Sequence, residues 1–507
     1  MKKLIYLLLP ILFLLPSCYE DLGNYDYDDA EVISVEGIAS SYSKVSTIDR
    51  LVIDPQVGST DPDARFEYFW GIYEANTSGY FPTFDTLTHN KELDYLVVQD
   101  AGNWELVFGA KNLNTGLTKL ISSELTVTTE FTRGWYVLKD DGENSDIDQF
   151  LTPDTIIPSQ VAENVFSAIN GRKLQGKAKQ FAFLNNYRTF VHNSSIATYT
   201  RTLFALSEND MSAIYIDNFK QIRGFNEIFF QSPAVRDLGV LTVGASTISD
   251  YIINDGKLHY LYTMTANSGI FGAGVLKNEN AEDYHLSQYT VGTFSQLLFY
   301  DELSCTFLTH PTAGTTMLKV KMNGNSQMPA ENINKELLFM SERNRSSSVA
   351  LFRDRTDPNL MILSSISGSE SNLNVQNDTI ASGEMLQKAG IVTANKDEAM
   401  IYFSVNSEVW SRNLANGNEQ KQFSFPAGEE ISFIRHLKYT PSSDPSFNFN
   451  YVVVATTTGD GYKIYCFQKS SGNLAAEPDF TMEGSGKVGA VLYISPKVGY
   501  NTYSYGY

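Results

Sequence analysis

The sequence predicts an all-β protein. Of its 507 residues, 13% are aromatic, including 29 Tyr and 31 Phe, and aromatic residues are enriched in strands. Short stretches of alternating apolar and polar residues, separated by Gly, Asp and Asn, recur along the chain. A helical pattern stands out in one segment only. Because the chain is too long for one hydrophobic core, we expect several domains.

Composition excludes several classes of protein. Hydrophobic residues make up 42% and charged residues 19%, which is a globular balance. The 58 acidic residues outnumber the 38 basic ones, giving a net charge of −20. This excess argues against nucleic acid as a partner, because phosphate contacts need Lys and Arg. Three Cys are too few for a disulfide scaffold, and the lack of repeated long apolar runs excludes a polytopic membrane protein.

Residues 1–17 have the features of a secretory signal peptide. Lys2 and Lys3 precede an apolar stretch over residues 4–15, which is too short to span a bilayer as a helix. The following LPSC resembles the bacterial lipobox, in which a small residue precedes a diacylated Cys. The resemblance implies that Cys18 becomes the lipidated first residue of the mature chain. The alternative is an ordinary secretory signal with a chance Cys.

Residues 18–30 form an acidic tether in this interpretation. The sequence YEDLGNYDYDD after Cys18 contains five acids. It resembles the surface-export signal of outer-membrane lipoproteins in one large group of Gram-negative gut bacteria. The alternative is a flexible solvated linker, and both can hold at once. We therefore expect an outer-membrane protein that faces the cell exterior and contacts the membrane through its lipid anchor only.

Residues 31–130 predict an antiparallel β-sandwich. Apolar and polar residues alternate in six or seven short runs, and turn residues separate these runs. That density of strands in about 100 residues is typical of immunoglobulin-like folds. Trp70 lies in the middle of FEYFWGIYE, where we expect a core side chain between two sheets.

The segment YLVVQDAGNWELVFGAKNLNTG, residues 95–116, resembles the penultimate hairpin of PKD-type immunoglobulin-like domains. Together with the lipobox and the CYEDLGNYDY start, it makes the chain similar to the PKD-like family of surface lipoproteins. The resemblance is concentrated in residues 18–150. It implies an accessory role beside a SusC/SusD-type TonB-dependent nutrient importer, with other surface lipoproteins as further possible partners.

Residues 134–507 predict a seven-bladed β-propeller. An apolar run, a tight turn and a second apolar run recur seven times, mostly at intervals of roughly 50 residues, as propeller repeats do. Circular closure near the strand GKVGAVLYISP would leave no long unpaired edge. The alternative is a further pair of β-sandwiches. The turns are expected near Asp141-Gly142, Asn209, Asp255, Glu302, Asp357, Ser407 and Asp460.

The long first interval contains the helix signal. Ser159 can cap VAENVFSAI, and this segment ends at Asn170-Gly171, so we expect a helix that starts just after Ser159. Cys305 and Cys466 both lie in strand-like sequence. They are either buried free thiols or a disulfide pair, and their spacing does not decide between these.

No catalytic motif is present, and we predict a binding protein without a cofactor instead of an enzyme. The six His show no HExxH spacing, and no G-x-S-x-G turn occurs. His259 in KLHYLY reads as a strand residue. A hydrolase assembled from distant blades remains an alternative, because such a site leaves no local motif.

The acidic turn after the first predicted propeller strand is a weak candidate for a metal site. Asp140, Asp141, Asp146 and Asp148 offer several carboxylates, which Ca²⁺ prefers as ligands. Their spacing does not match an EF-hand, so we interpret the segment as a solvated turn without metal.

Ligand contacts are assigned to one aromatic loop. In PSSDPSFNFN, Phe447 and Phe449 are the predicted ligand-binding residues, since aromatic side chains supply contact area at low entropic cost. The C-terminal NTYSYGY is a second aromatic candidate. By family context we expect the ligand to be a peptide, with a glycan-binding accessory role in polysaccharide utilisation as the alternative.

Overall fold

The computed structural model describes residues 30–75, 81–190, 197–243, 248–264, 269–292, 296–344, 346–439 and 445–495, without the side chains of residues 185, 186, 243 and 445. The protein is all-β, with 56% strand and 4% helix, which confirms the predicted fold class. It forms two compact units. The smaller contains most of residues 30–125, and the larger contains residues 43–50, 96–103 and 126 onward.

The strands of the first 128 residues build three sheets. The largest has five strands in the order β2-β9-β8-β5-β6, and the pairs β1-β4 and β3-β7 are separate two-stranded sheets. The strands are β1 (Ile33–Glu36), β2 (Ser41–Val45), β3 (Arg50–Ile53), β4 (Gln56–Ser59), β5 (Phe66–Glu74), β6 (Asp85–Thr88), β7 (Leu93–Leu96), β8 (Gly102–Asn112) and β9 (Thr118–Thr128).

Trp70 occupies the core of this unit, as predicted. Its side chain is fully buried on β5, and its ring centroid lies 4.8 Å from that of Phe108. The indole N–H donates to the carbonyl oxygen of Lys91 at 3.0 Å. A buried indole thus keeps a hydrogen-bond partner while its rings fill the sandwich.

Seven further antiparallel sheets follow, which we call blades 1 to 7. Their strands are β10 (Gly134–Asp140), β11 (Asn144–Leu151), β12 (Gln160–Ala162) and β13 (Leu174–Gln175) in blade 1; β14 (Ala178–Thr189), β15 (Thr198–Ser207), β16 (Met211–Tyr215) and β17 (Lys220–Gly224) in blade 2; β18 (Leu238–Val243), β19 (Ser249–Asn254) and β20 (Lys257–Tyr262) in blade 3; β21 (Val291–Gly292), β22 (Leu297–Asp301), β23 (Thr306–Thr309) and β24 (Leu318–Lys319) in blade 4; β25 (Lys335–Asn344), β26 (Ser347–Asp354), β27 (Met361–Ser369) and β28 (Asn372–Ile380) in blade 5; β29 (Val392–Ala394), β30 (Met400–Val405), β31 (Glu408–Asn413) and β32 (Glu419–Ser424) in blade 6; and β33 (Glu430–Tyr439), β34 (Phe449–Thr458), β35 (Gly461–Ser470), β36 (Asn473–Leu474) and β37 (Phe480–Ser485) in blade 7.

The last strand closes the ring. β38 (Lys487–Ile494) pairs antiparallel with β10 and becomes the first strand of blade 1. Contacts link the first strands of neighbouring blades, including β38 with β14, β25 with β29, and β33 with β38. The first strands therefore surround the centre, which is the arrangement of a β-propeller. Closure pairs an edge that would otherwise be exposed.

All seven predicted hairpins join the second and third strands of the seven blades. The clearest is the two-residue turn Asp255-Gly256 between β19 and β20, with φ of 51° and 64°. Two successive residues with positive φ are what a type I′ hairpin turn requires. Among the described residues, blade 3 has three regular strands. There, Gly272 and Val275 donate backbone hydrogen bonds to Tyr260 and Leu258 of β20.

The predicted helix start is wrong. Residues 160–162 form β12, which pairs with β11, and the helix α1 covers only Val165–Asn170. Pairing with a neighbouring strand displaces the helical pattern, so Ser159 caps nothing. The helix end is correct, since Gly171 has the left-handed conformation. The other short helices are α2 (Phe225–Ile228) and the 3₁₀ turns Glu130–Thr132, Met385–Lys388 and Pro445–Phe447.

Apolar cores fill the spaces between successive blades. One contains Trp135, Phe449 and Cys466, and another contains Tyr300, Phe352 and Cys305. The two cysteines are free and buried in these separate cores, so the disulfide alternative is excluded. Among the described residues, no helix has the length and apolar character needed to cross a membrane.

Candidate functional site

The strand order of the blades sorts their connections onto two faces. Since successive strands are antiparallel, the connections between strands 1 and 2 and between strands 3 and 4 leave from one face of the ring. We call this the 1–2 face. The hairpins between strands 2 and 3 lie on the opposite face. Such connections commonly form the ligand sites of propellers, so either face could hold one.

Three large apolar side chains are exposed on the 1–2 face of blades 2 and 3. Phe190 follows β14 and is 41% exposed, Tyr199 on β15 is 63% exposed, and Met264 follows β20 and is 71% exposed. We call these three residues the apolar patch. Residues 191–196 and 265–268, next to the patch in sequence, lie outside the described residues.

Phe190 and Tyr199 lie close together because β14 and β15 are paired. Arg188 pairs across the sheet with Tyr199, and its guanidinium lies 5.7 Å from the centre of the Tyr199 ring. Gly269, five residues after Met264, packs on β14, because the Tyr187 hydroxyl donates to its carbonyl oxygen. Gly269 has a φ of 79°, and a Cβ there would lie 2.5 Å from the Arg188 carbonyl oxygen. A glycine is therefore required for this close approach.

A buried carboxyl group lies near the patch. Asp250 is the second residue of β19, near the same face, and is 5% exposed. Its charge acts on Tyr187 of the neighbouring blade. Burial raises the pKa of Asp250 to about 7 because removal from water penalises the carboxylate. Near neutral pH this side chain can therefore gain or lose a proton, and a cation that approached it would favour the ionised form.

A second cluster lies on the 1–2 face of blades 6 and 7, around Asp397. Its carboxylate accepts hydrogen bonds from Lys438, from Lys469 at 2.8 Å and from Asn450 at 2.7 Å. Although burial opposes this, the three donors hold the pKa of Asp397 well below its usual range. Lys469 also pairs with Glu398 at 2.7 Å. The cluster is saturated by its own partners.

His436 completes that cluster as a neutral side chain. Its Nδ1 accepts the backbone N–H of Lys396 at 2.8 Å, so the proton must be on Nε2. Nε2 in turn donates to Asn450 Oδ1 at 2.6 Å, and Asn450 donates to Asp397. Burial lowers the pKa of His436 to about 4. With both nitrogens engaged, the ring positions the cluster and is not placed to act as a general base.

Phe447 and Phe449 are buried instead of exposed, at 6% and 4%. The Arg133 guanidinium lies 4.6 Å from the centre of the Phe447 ring. Phe449 packs against Trp135 at 5.3 Å between ring centroids. Packing accounts for both side chains in this structure, and their ligand role stays a prediction. The tail NTYSYGY, like Cys18, lies outside the described residues.

Two of the four metal candidates organise the first hairpin turn. Asp140 accepts the backbone N–H groups of Gly142 at 3.0 Å and Ala178 at 3.1 Å. Asp141 pairs with Lys173 at 2.8 Å. The hydrogen bond from Lys173 lowers the pKa of Asp141 to about 2. Both carboxylates thus act within a turn and an ion pair.

The other two candidates point into blade 1. Asp146 accepts the backbone N–H of Ser167 at 3.1 Å. Asp148 is fully buried and pairs with Lys139 and with the Tyr462 hydroxyl, both at 2.8 Å. Within the described part of the chain, no group of three or more His, Cys, Asp or Glu is placed to hold a metal ion. The four aspartates instead have separate structural partners.

The chain is thus an all-β protein in which a propeller follows a sandwich unit in sequence. A family model described as the PKD-like family matches residues 18–178. That match covers the sandwich and begins at the predicted lipidated Cys18. No curated protein matches the chain.

Several solved structures are similar to the chain in fold only. A quinonprotein alcohol dehydrogenase-like protein from Bacteroides thetaiotaomicron has 13% identity and a TM-score of 0.41, over 89% of this chain and 96% of that one. The WD40 domain of SCAP from fission yeast has 9% identity and a TM-score of 0.34, over 61% and 74%. A lignostilbene dioxygenase from Pseudomonas brassicacearum has 10% identity and a TM-score of 0.33, over 89% and 92%.

Proposed function

We propose that the protein is a surface-exposed outer-membrane lipoprotein whose propeller captures peptides for import. The observation that carries this proposal is the apolar patch of Phe190, Tyr199 and Met264. Exposed apolar side chains grouped on the loop face of a propeller are typical of an interaction site. An exposed apolar patch lowers the solubility of a protein, and ligand binding would explain why this one is present.

The chemistry of the patch favours peptides over glycans. Met264 and Phe190 offer flexible and flat apolar surfaces without hydrogen-bonding groups, which suit varied apolar side chains. Tyr199 adds one hydroxyl. The net charge of −20 and the nearby Asp250 favour ligands that also carry Lys, Arg or a free amino terminus.

Location and partners come from the N-terminal part of the chain. The lipobox-like LPSC supports acylation of Cys18, and the acids that follow it support display on the outer surface. The family match over residues 18–178 supports a role beside a SusC/SusD-type TonB-dependent importer. In this proposal the propeller retains peptides near the transporter, and it binds its ligand without changing it.

A binding experiment with a triple variant tests the capture role. The unlipidated chain from residue 19 is incubated with a tryptic digest of casein, and retained peptides are quantified by mass spectrometry. Burying one such side chain contributes about 1.5–3 kcal/mol. We therefore expect Phe190→Ala/Tyr199→Ala/Met264→Ala to weaken retention by a factor of about 10 or more.

Leu318→Ala is the matched control, because Leu318 is 43% exposed and lies on β24 of blade 4. It should retain peptides as the unmodified protein does. Equal retention by the triple variant would contradict the proposed site. Retention of maltoheptaose or of a mucin glycan pool in place of peptides would favour the glycan alternative. Shortened casein peptides or cleaved glycans would indicate a hydrolase.

A further inference from the structure

Four apolar side chains are exposed at one end of the sandwich. They are Val32 beside β1 and three leucines at the β8–β9 hairpin, and each is at least 43% exposed. Single exposed leucines are common on protein surfaces, but three within eight residues of one turn form a local apolar surface. We call this surface the leucine tip: Val32, Leu113, Leu117 and Leu120.

A hydrogen-bond network ties Val32 to the hairpin. Asn112 is fully buried, and its Nδ2 donates to Glu31 and to Asp61, both at 2.9 Å. Thr115 at the turn donates to the other oxygen of Glu31 at 2.5 Å. Residue 31, which precedes Val32, is therefore fixed beside residues 112–115.

The turn itself is also internally bonded. Asn112 Oδ1 accepts the N–H of Asn114 at 2.9 Å, and the backbone N–H of Asn112 donates to Leu117 at 2.9 Å. Leu113 donates its N–H to Arg65 at 2.7 Å. Because the backbone is held on both sides, the leucines are presented at a defined place on the sandwich.

The short chain between Cys18 and the sandwich indicates what could cover the leucine tip. The described residues begin at Ala30, and eleven residues lie between it and Cys18. An extended chain spans at most about 3.5 Å per residue, so a lipidated Cys18 would lie within about 40 Å of Ala30, which directly precedes Glu31. A lipidated Cys18 would therefore keep the lipid surface within tens of ångströms of this end of the sandwich.

We propose that the leucine tip contacts the lipid surface in which Cys18 is anchored. This inference rests on the proposed lipidation. It adds to the acyl anchor a second, protein-borne contact, which would limit tilting of the sandwich against the membrane. Leucines suit the apolar side of a membrane interface. The five acids between Cys18 and Ala30 disfavour anionic lipids, so zwitterionic lipid is the expected partner.

Fluorescence quenching tests this contact. The lipidated full chain carries Leu117→Cys labelled with an environment-sensitive dye and is reconstituted into vesicles of phosphatidylcholine and phosphatidylethanolamine. Cys305 and Cys466 are buried and remain unlabelled in the folded protein. We expect a blue-shifted emission and strong quenching by lipids that carry a nitroxide at the headgroup.

Thr126→Cys is the matched control. It lies on β9 with its side chain exposed on the same side as Leu120, about 20 Å further along the strand at 3.3 Å per residue. We expect at least threefold weaker quenching there than at Leu117. Leu113→Cys provides a second tip position if the first variant fails to fold.

The outcomes separate the inference from the proposed function. Vesicle flotation and mass spectrometry of Cys18 report the anchor independently of the dye. If the acylated protein floats and the tip is quenched no more than Thr126→Cys, the tip contact is overturned and anchoring stands. If Cys18 carries no acyl group and the protein does not float, anchoring and tip contact both fall.

Discussion

Asp250 lies buried at the start of β19, beside Tyr187 of the neighbouring blade. Burial removes its carboxyl group from water, which disfavours the ionised form. The pKa of Asp250 is therefore raised to about 7, whereas an aspartate in an unfolded chain has a pKa of about 3.9. The folded protein therefore holds a proton on Asp250 that the unfolded chain has already released between about pH 4 and pH 7. In this window the folded state binds more protons, so stability falls as pH rises.

Asp250→Asn tests this linkage. The Asn variant keeps the shape and cannot ionise, so the stability of the wild-type protein relative to it should fall by up to about 4 kcal/mol between pH 4 and pH 8. Denaturant unfolding at several pH values measures the difference. The comparison with the variant is necessary because His436 also makes stability depend on pH. Burial lowers the pKa of His436 to about 4 in the folded state, so its contribution makes the protein less stable as pH falls below about 6.5. A pH-independent difference would contradict the assignment.

For single residues, the sequence predicted the burial of apolar strand positions, and the ligand role of Phe447 and Phe449 stays a prediction. Trp70 and Cys466 are buried on strands, and Cys305 is buried in the turn before β23, where its φ is 48°. Phe447 and Phe449 are equally apolar, and their turn-rich loop suggested exposure, yet the core between blades 7 and 1 covers them. The apolar patch was missed because Tyr199 and Met264 lie far apart in sequence. The pairing of β14 with β15 and the contact of Gly269 with β14 place both residues on the 1–2 face of blades 2 and 3.

The strands of the propeller depend on close contacts between blades as well as on pairing within them. Gly489 on β38 faces β14, and a Cβ at this position would lie 2.2 Å from the carbonyl oxygen of Ala178 and 2.5 Å from its carbon. Backbone atoms cannot rotate away as a side chain can, so the two strands would have to separate. Gly489 thus sets the spacing of blades 1 and 2.

Gly489→Ala should destabilise the protein by about 1–3 kcal/mol, the usual cost of overpacking. The matched control is Gly324→Ala, because a Cβ at Gly324 meets no atom within 4 Å. Equilibrium unfolding in urea gives both values. A Gly489→Ala midpoint equal to that of Gly324→Ala would show that the inner strands tolerate a larger separation.

Elements were predictable where local chemistry decides them. Each of the seven hairpins is set by a turn of a few residues, and Asp255-Gly256 shows how directly the turn type follows from the sequence. The start of α1 was not predictable in this way. Residues 160–162 carry a helical pattern, but β11 offers them an edge to pair with, and tertiary pairing overrides local propensity.

The whole molecule joins a sandwich unit to a ring of seven blades. The chain order alone predicts the ring, because regular hairpins need neighbours on both sides to bury their faces. The closing strand β38 was also visible as an apolar run after blade 7. The ligand was not predictable, since the 1–2 face is built from connections of different blades whose side chains follow no repeat.

The central claim is that the apolar patch captures peptides at the cell surface. Photo-cross-linking on intact cells tests it most directly, with p-benzoylphenylalanine in place of Tyr199 and, as the control, in place of Leu318. Biotin-labelled casein peptides are added to the medium before irradiation. The proposal predicts biotin on the protein with the Tyr199 substitution and little with the Leu318 substitution. Equal labelling of both, or labelling at Tyr199 only after the cells are broken, would contradict it.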